Sequence, residues 1–268
     1  MTRLSLTGTR SALVTGATQG IGLALTHNLL GHGWTVFGTG RDAKSLERTR
    51  TLFQTFVPIQ ADLTRNDDLT RIADTIKRSQ LPLMLSVQNA GMKTPPRNLD
   101  RHTCEVIDEV MGVNLLAPMK LTALLSQYMP EESRILFVTS RAATLKLKES
   151  STYCASKAGL DEIAAIVRQE LSDRNIGVSS VIPGEVDTNI QKTLRETTSF
   201  HLHRMFKAAH ESGQLISPET CADFLKWVLC DLSFEEFKQS KMPFSIYDDW
   251  HKSFWLKDEK KLPAFPFS

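Results

Sequence analysis

Short, continuously apolar runs alternate with longer stretches in which apolar residues recur every three or four positions, and this alternation continues along most of the chain. The short runs read as strands buried on both faces, and the longer spacing reads as helices with one buried stripe. Strands are predicted at Ser11–Thr15, Trp34–Thr39, within Phe53–Gln60, at Leu83–Val87, Arg134–Thr139 and Ile176–Ile182, with a last one through Phe244–Tyr247. The first helix carries Leu23, Leu25, Leu29 and Leu30, and a polar helix is predicted near residues 66–79. A long helix runs from about Asp100 to Gln127, with Val106, Ile107, Val110, Met111, Leu115 and Leu121 on its buried face. Further helices contain Tyr153 and follow Pro218 through Leu229. Strands and helices in strict alternation, without repeats or a low-complexity linker, predict one α/β domain over residues 1–268, a doubly wound parallel sheet with helices on both faces. The polar stretch from Asp187 to about residue 215 is expected to form a helical lid, and the aromatic tail 248–268 is expected to pack on a partner subunit.

Open parallel sheets bind ligands past the carboxyl ends of their strands, and the candidate residues of this chain fall at those ends. The first strand stops at T-G-A-T-Q-G-I-G, residues 15–22. Gly16, Gly20 and Gly22 let the backbone turn sharply and approach a ligand, while Thr18, Gln19 and Ile21 complete a turn that opens a helix with free N–H groups for a phosphate. The second strand ends at Gly40-Arg41, where a site for NAD would place an acid. Arg41 fits a 2′-phosphate, or else stands in solvent beside Asp42, which can cap the next helix. Asp62, followed by Leu63, either reaches an adenine or caps a turn. Asn89, Ala90 and Gly91 follow the fourth strand and let a ligand lie against the backbone, and Pro183-Gly184 follows the sixth.

Ser140 ends the fifth strand, and on the next helix Tyr153 precedes Lys157 by four residues, which places both on one helix face. A free phenol titrates near pH ~10. A nearby ammonium lowers that value, so Lys157 is expected to tune Tyr153 as a general acid or base while the Ser140 hydroxyl holds a carbonyl oxygen. By itself the pair also fits an ordinary, partly exposed helix face. Pro118 lacks the N–H that would bond the carbonyl of Asn114, so that carbonyl needs another partner, for which a water is suited.

The totals narrow the function. The 268 residues are 41% hydrophobic and 23% charged, with 32 basic against 30 acidic residues and a net charge of +2. No basic stripe points to nucleic acid, and no apolar stretch reaches the ~20 residues of a membrane span. Arg3 and Arg10 interrupt the N-terminus before any signal-peptide core. Cys104, Cys154, Cys221 and Cys230 lack metal or disulfide spacing, and His201 and His203 read as surface residues, so no metal is expected. A cytoplasmic location follows as an expectation.

With those residues in place, the chain resembles the classical short-chain dehydrogenase/reductase family over roughly residues 8–247. The resemblance rests on T-G-x-x-x-G-x-G at Thr15–Gly22, N-A-G at Asn89–Gly91, Asn114, Ser140 thirteen residues before Y-x-x-x-K at Tyr153–Lys157, and P-G-x-x-x-T at Pro183–Thr188. It implies a Rossmann-type fold with Tyr153 as catalytic acid/base and Lys157 tuning it and holding the nicotinamide ribose. It further implies that Ser140 positions the carbonyl and Asn114 holds a relay water. Val186 and Thr188 would lie along the cofactor, Asp62 at the adenine, and Arg41 would favour NADP(H) over NAD(H). Gln19 stands where many NADP(H)-preferring members carry a second basic residue. Gln88 replaces the first asparagine of N-N-A-G, and S-I-Y-D-D-W replaces the usual last-strand ending. A homodimer or homotetramer is implied through the helices at 100–127 and 151–172.

The expected function is therefore hydride transfer between NADP(H) and a carbonyl or alcohol substrate. The alternative is a non-catalytic NADP(H)-binding sensor or scaffold, which would have no use for the acid-base pair. Residues 93–98, 141–150 and 185–215, where the resemblance puts substrate specificity, carry no charged pattern diagnostic of one ligand.

Overall fold

The computed structural model describes residues 10–264; the N-terminal segment read above and the last four residues of the tail lie outside the described residues. Seven strands form one parallel sheet: β1 (Ser11–Val14), β2 (Thr35–Gly40), β3 (Phe56–Gln60), β4 (Leu83–Gln88), β5 (Arg134–Val138), β6 (Gly177–Ile182) and β7 (Phe244–Ser245). Their order is β3-β2-β1-β4-β5-β6-β7. The winding reverses beside β1, between β2 and β4, and a crevice opens at that reversal.

The side-chain alternation of the strands divides the core. On one face Ala12, Val14, Val36, Val87 and Leu136 meet α1 (Gly20–Gly31) and α9 (Pro218–Lys226) through Leu25, Leu29, Phe224 and Leu225. On the other, Leu13, Phe37, Ile135, Phe137 and Val178 meet α3 (Asn66–Ser79), α5 (Ala117–Leu125) and α6 (Ser151–Glu170). Strands that lose both faces to helices must be apolar throughout, which is the pattern the chain shows. Between β2 and β3, α2 (Ala43–Leu52) is capped by Asp42, whose carboxylate accepts from the N–H groups of Lys44 and Ser45.

Several expected boundaries move. The third strand begins at Phe56 because Phe53 ends α2. The long helix expected from Asp100 begins instead at Thr103, whose hydroxyl caps α4 (Cys104–Met111), and its middle is a π-helical turn at Gly112–Leu116 before α5. The widened turn surrounds Asn114, where Pro118 withholds a donor. The helix after Pro218 likewise ends in a π turn at Trp227–Asp231. The last strand is only two residues long.

The lid region folds as α7 (Asn189–Glu196) and α8 (His203–Glu211), joined around the buried Phe200 and Phe206. After α10 (Phe234–Gln239), the tail carries α11 (Lys252–Trp255). Its aromatics turn back in part on their own chain. The His251 ring lies 5.1 Å from Phe224 and 5.0 Å from Trp227, and Trp255 is buried. Trp250 and Phe254 remain exposed. Among the described residues no helix is long and apolar enough to cross a membrane.

Arg134, fully buried at the start of β5, donates to the carbonyls of Val228 at 3.0 Å and Leu232 at 2.8 Å. It thereby satisfies the end of the π turn. Burial pushes its guanidinium down to about 10. Arg134→Met is expected to leave both carbonyls unpaired at a cost of about 2–4 kcal/mol. Thermal unfolding followed by circular dichroism should then show a midpoint roughly 5–15 °C below wild type; an unchanged midpoint would show that the cap contributes nothing.

Candidate active site

The turn after β1 is locked to the end of β4. The Thr15 hydroxyl accepts from the backbone N–H groups of Asn89 and Ala90, both at 3.0 Å, and the Asn89 amide donates to the Thr15 carbonyl at 2.8 Å. Gly16 and Gly20 hold φ values of +70° and +53°. Gly22 packs so tightly that an added Cβ would stand 2.1 Å from the Gly16 carbonyl oxygen. Gln19 begins α1 without a side-chain cap, and its Oε1 accepts instead from Asn189 Nδ2. The first-turn N–H groups of α1 are therefore available to an anionic ligand.

From this turn a cleft of about 510 Å³ extends along the strand ends. Gly16, Thr18, Gln19, Gly20, Ile21 and Gly22 form one wall, and Asn89, Ala90 and Gly91 form the floor beside it. Arg41, Asp62 and Leu63 border one end, Tyr153 and Lys157 are also in its wall, and Pro183 and Thr188 complete the side under the lid. Gly184 and Val186, expected as cofactor contacts, lie outside this wall. Val186 is buried and bridges Ile216, and Gly184 turns the chain at φ +82° against Ile216 and Ile246. Thr39, Met92, Val113, Lys192 and Arg195 line the cleft without having been singled out in the sequence. They flank motif residues or sit on the lid, where spacing carries no signal.

Both readings of Asp62 and Arg41 gain a structural basis. Asp62 caps its turn, accepting from the Thr64 N–H and hydroxyl, and these bonds hold its carboxyl below the usual range. It borders the cleft as well. Arg41 is largely exposed and pairs loosely with Glu109 at 3.7 Å. The neighbouring acid, Asp42, is committed to the cap of α2.

At the other end the four residues expected to be catalytic come together. Lys157 is buried and donates to the Val138 carbonyl at 2.8 Å. Its Nζ lies 6.0 Å from the centre of the Tyr153 ring. The Ser140 hydroxyl accepts from the Ala142 N–H at 3.1 Å and stands close enough to the Tyr153 phenol to lower its pKa. Asn114 is fully buried; its Oδ1 accepts from the Met92 N–H at 2.8 Å, and its Nδ2 donates to the Met92 carbonyl and to the Ser156 hydroxyl. Ser156 in turn donates to the Tyr153 carbonyl. The Asn114 side chain is thus fully used as a clamp between β4 and α6.

The expected tuning of Tyr153 is corrected here. Burial pushes its phenol up to about 12 against the opposing Ser140 hydroxyl, and burial brings Lys157 down to about 8. Desolvation is the largest effect, opposed by Ser140 and reinforced by Glu185 and Cys154, so Tyr153 holds its proton. Asp161, one turn after Lys157, is also pushed up by burial, with hydrogen bonds from Ser180 and Thr139 opposing.

The three segments expected to lack a diagnostic charge pattern each bring a charged residue to this end. Lys93 Nζ lies 4.9 Å from the centre of the Tyr153 ring, Glu185 acts on both Lys93 and Tyr153, and Arg141 acts on Glu185. Burial pushes Lys93 down to about 8 and Glu185 up to about 7. His201, on the lid, bonds Glu149 through Nδ1 at 2.8 Å.

Comparison with known proteins agrees with this architecture. The family model described as short chain dehydrogenase matches residues 10–199. The chain is 28% identical to benzil reductase ((S)-benzoin forming) of Bacillus cereus over 246 residues, which is 87% of this chain and 98% of that one. It is 31% identical over 189 residues to 3-oxoacyl-[acyl-carrier-protein] reductase MabA of Mycobacterium tuberculosis, 70% of this chain and 73% of that one. Among solved structures, a short chain dehydrogenase from Burkholderia cenocepacia in complex with NADP superposes with a TM-score of 0.71 at 25% identity, covering 82% of this chain and 89% of that one. The chain belongs to the short-chain dehydrogenase/reductase family.

Two buried lysines make a measurable prediction. Lys93 and Lys157 titrate near 8 when folded, against an ordinary 10.5. Between those values the unfolded chain binds more protons, so each lysine's contribution to stability rises with pH, by about 1 kcal/mol from pH 8 to 9. Urea unfolding without cofactor should show wild type gaining on Lys93→Met, and on Lys157→Met, across that step. The comparison cancels the opposing ionisation of Cys221 and Cys230, whose thiols burial pushes up. A constant difference between wild type and variant would refute the depressed lysine.

Proposed function

We propose that this protein is an NADP(H)-dependent oxidoreductase that transfers a hydride between the nicotinamide and a carbonyl or alcohol, with Tyr153 as the proton carrier. The observation that carries the reading is Tyr153 beside an anchored Lys157 in the wall of the cleft that also holds an uncapped, glycine-lined helix start, with Ser140 acting on the phenol. The open N–H groups of α1 fit a pyrophosphate, and Gly16, Gly22, Asn89 and Gly91 line the cleft beside them. When bound, NADP(H) supplies or accepts the hydride.

The chain's own groups do the remainder. In the reducing direction Ser140 and Tyr153 donate hydrogen bonds to the carbonyl oxygen, drawing charge toward it. Tyr153, protonated at neutral pH, gives its proton to that oxygen as the alkoxide develops. The Lys157 ammonium then favours the phenolate left behind. A water at the Asn114 carbonyl, freed by Pro118, resupplies the proton, since the Asn114 side chain is already committed. Residues 187–215 act as the lid over the substrate, within a single domain. Exposed Leu116, Met119 and Ile166 on the helices of that face support a homodimer or homotetramer.

Preference for NADP(H) is supported by Arg41 at the cleft and by the engagement of Asp42 elsewhere, which leaves the end of β2 without an acid for a ribose 2′-hydroxyl. Structural relatives in complex with NADP agree with this choice.

The test is NADPH oxidation by the purified protein with benzil and a panel of other carbonyls, with NADH in parallel. Tyr153→Phe should lower kcat by at least about 100-fold, while NADPH binding followed by fluorescence stays within about threefold, because the lost hydroxyl acts on substrate. Binding without turnover across the panel would favour the sensor reading instead. Arg41→Ala should lower the NADPH-to-NADH ratio of kcat/KM by about tenfold or more through loss of a charge-assisted phosphate contact; an unchanged ratio would remove Arg41 from cofactor choice.

A further inference from the structure

Tyr153 borders two cavities. One is the cleft, and the other is a small one of about 10 Å³ whose wall also contains His102, Ser150 and Thr152. That volume is the room one water takes up, and too little for anything larger. The Ser150 and Thr152 hydroxyls are shielded from solvent and have no hydrogen-bond partner among the described residues, and the same is true of both ring nitrogens of His102. Ser150 is 4% exposed and Thr152 6%. Hydroxyls and an imidazole shut into protein without partners are costly, and a cavity lined by several such groups holds an ordered water where an apolar one stays dry.

The backbone explains why these groups have no partner. Ser150 holds the N-cap position of α6, yet its hydroxyl caps nothing. Its ψ is 24°, whereas Thr103 and Ser217, which do cap α4 and α9, keep extended backbone with ψ of 160° and 149°. The chain enters Ser150 through Glu149, a non-glycine residue at φ +64° whose carbonyl accepts from the Arg97 N–H at 2.9 Å. With that entry the serine does not take up capping geometry, and the first turn of α6 has no side chain to close it. This helix of 20 residues carries both Tyr153 and Lys157, and Thr152 directly precedes the tyrosine. Whatever ties down its first turn therefore also fixes Tyr153.

We propose that this cavity binds one water, held by the Ser150 and Thr152 hydroxyls and the His102 ring, and that these three are positioning residues that fix Tyr153 through it. A water offers two donors and two acceptors, which suits hydroxyls that can do either and an imidazole that has both. It ties the segment just before α4 to the first turn of α6, in place of the missing cap. Asn114 is not in the wall of this cavity, so the site is separate from the water at the Asn114 carbonyl. The water follows from the unpartnered groups alone, while the positioning role rests on the reading of Tyr153 as the proton carrier.

A high-resolution crystal structure of the full chain should show one ordered water within hydrogen-bond distance of at least two of the three groups, and density without it overturns the site. Thr152→Val removes one hydroxyl at nearly constant volume. In NADPH-dependent carbonyl reduction it should lower kcat by about 10-fold or more while KM for NADPH stays within about threefold, and Thr152→Ser should restore most of the loss. A kcat within about threefold of wild type in Thr152→Val overturns the positioning role. If wild type reduces no carbonyl, the oxidoreductase reading is what fails, and urea unfolding decides the site beside the crystal structure. The side chains of His102 and Thr152 share no direct bond, so only a bridge couples them. The separate losses of His102→Leu and Thr152→Val in the folding equilibrium, multiplied together, should exceed the loss in the double variant by about threefold or more. Losses that simply multiply overturn the site.

Discussion

The contact on which the crevice depends is the clasp between the Thr15–Gly16 turn and Asn89. Thr15 and Asn89 end adjacent parallel strands, and they exchange hydrogen bonds through both side chains and backbone. With this clasp in place, α1 must leave the sheet so closely that Gly22 has no room for even a Cβ. The cost is a strained turn that only glycine tolerates at φ +70°. The gain is a helix start held open at the point where the sheet reverses its winding, which is where a phosphate is bound most readily.

Burial sets the chemistry at the other end. Lys157 commits its ammonium to the Val138 carbonyl, and Ser140 acts on the Tyr153 phenol beside it. The ammonium is thereby fixed in direction before substrate arrives, and a fixed donor needs no reorganisation when charge develops. Desolvation raises the phenol from 10.0 to about 12 and lowers the ammonium from 10.5 to about 8, which moves two similar proton affinities apart and leaves the proton on Tyr153.

Much of this was legible in the chain because it is written locally. A glycine turn after an apolar strand, an i and i+4 pair, and a proline four residues after an asparagine each act within one element, and the structure places the first two on the cleft and a π turn at the third. What was not legible depends on burial or on contacts between distant segments. The direction of the Tyr153 shift follows from how much water the fold removes, which no spacing encodes. Lys93, Arg141 and Glu185 belong to three segments that look unremarkable one at a time, and only the sheet order brings them together. The fold of the tail was hidden for the same reason: its aromatics suit any apolar surface, and part of them meets α9.

That tail shows how the far side of the molecule supports the cleft. The His251 ring accepts from the Trp255 indole at Nδ1, so Nε2 must carry the proton that it donates to the Ser245 carbonyl. The ring is therefore neutral, consistent with burial holding its pKa below the ordinary value. Neutral and flat, it packs against Phe224 and Trp227 and covers the outer side of α9. The same α9 lies against α1, joined at its edge by the Asn28–Asp223 hydrogen bond. A chain of packed rings and helices thus runs from a C-terminal segment of unusual sequence to the back of the helix whose first turn faces the ligand. The last strand is only two residues long, and the aromatic buttress that follows it holds the position of α1 from behind.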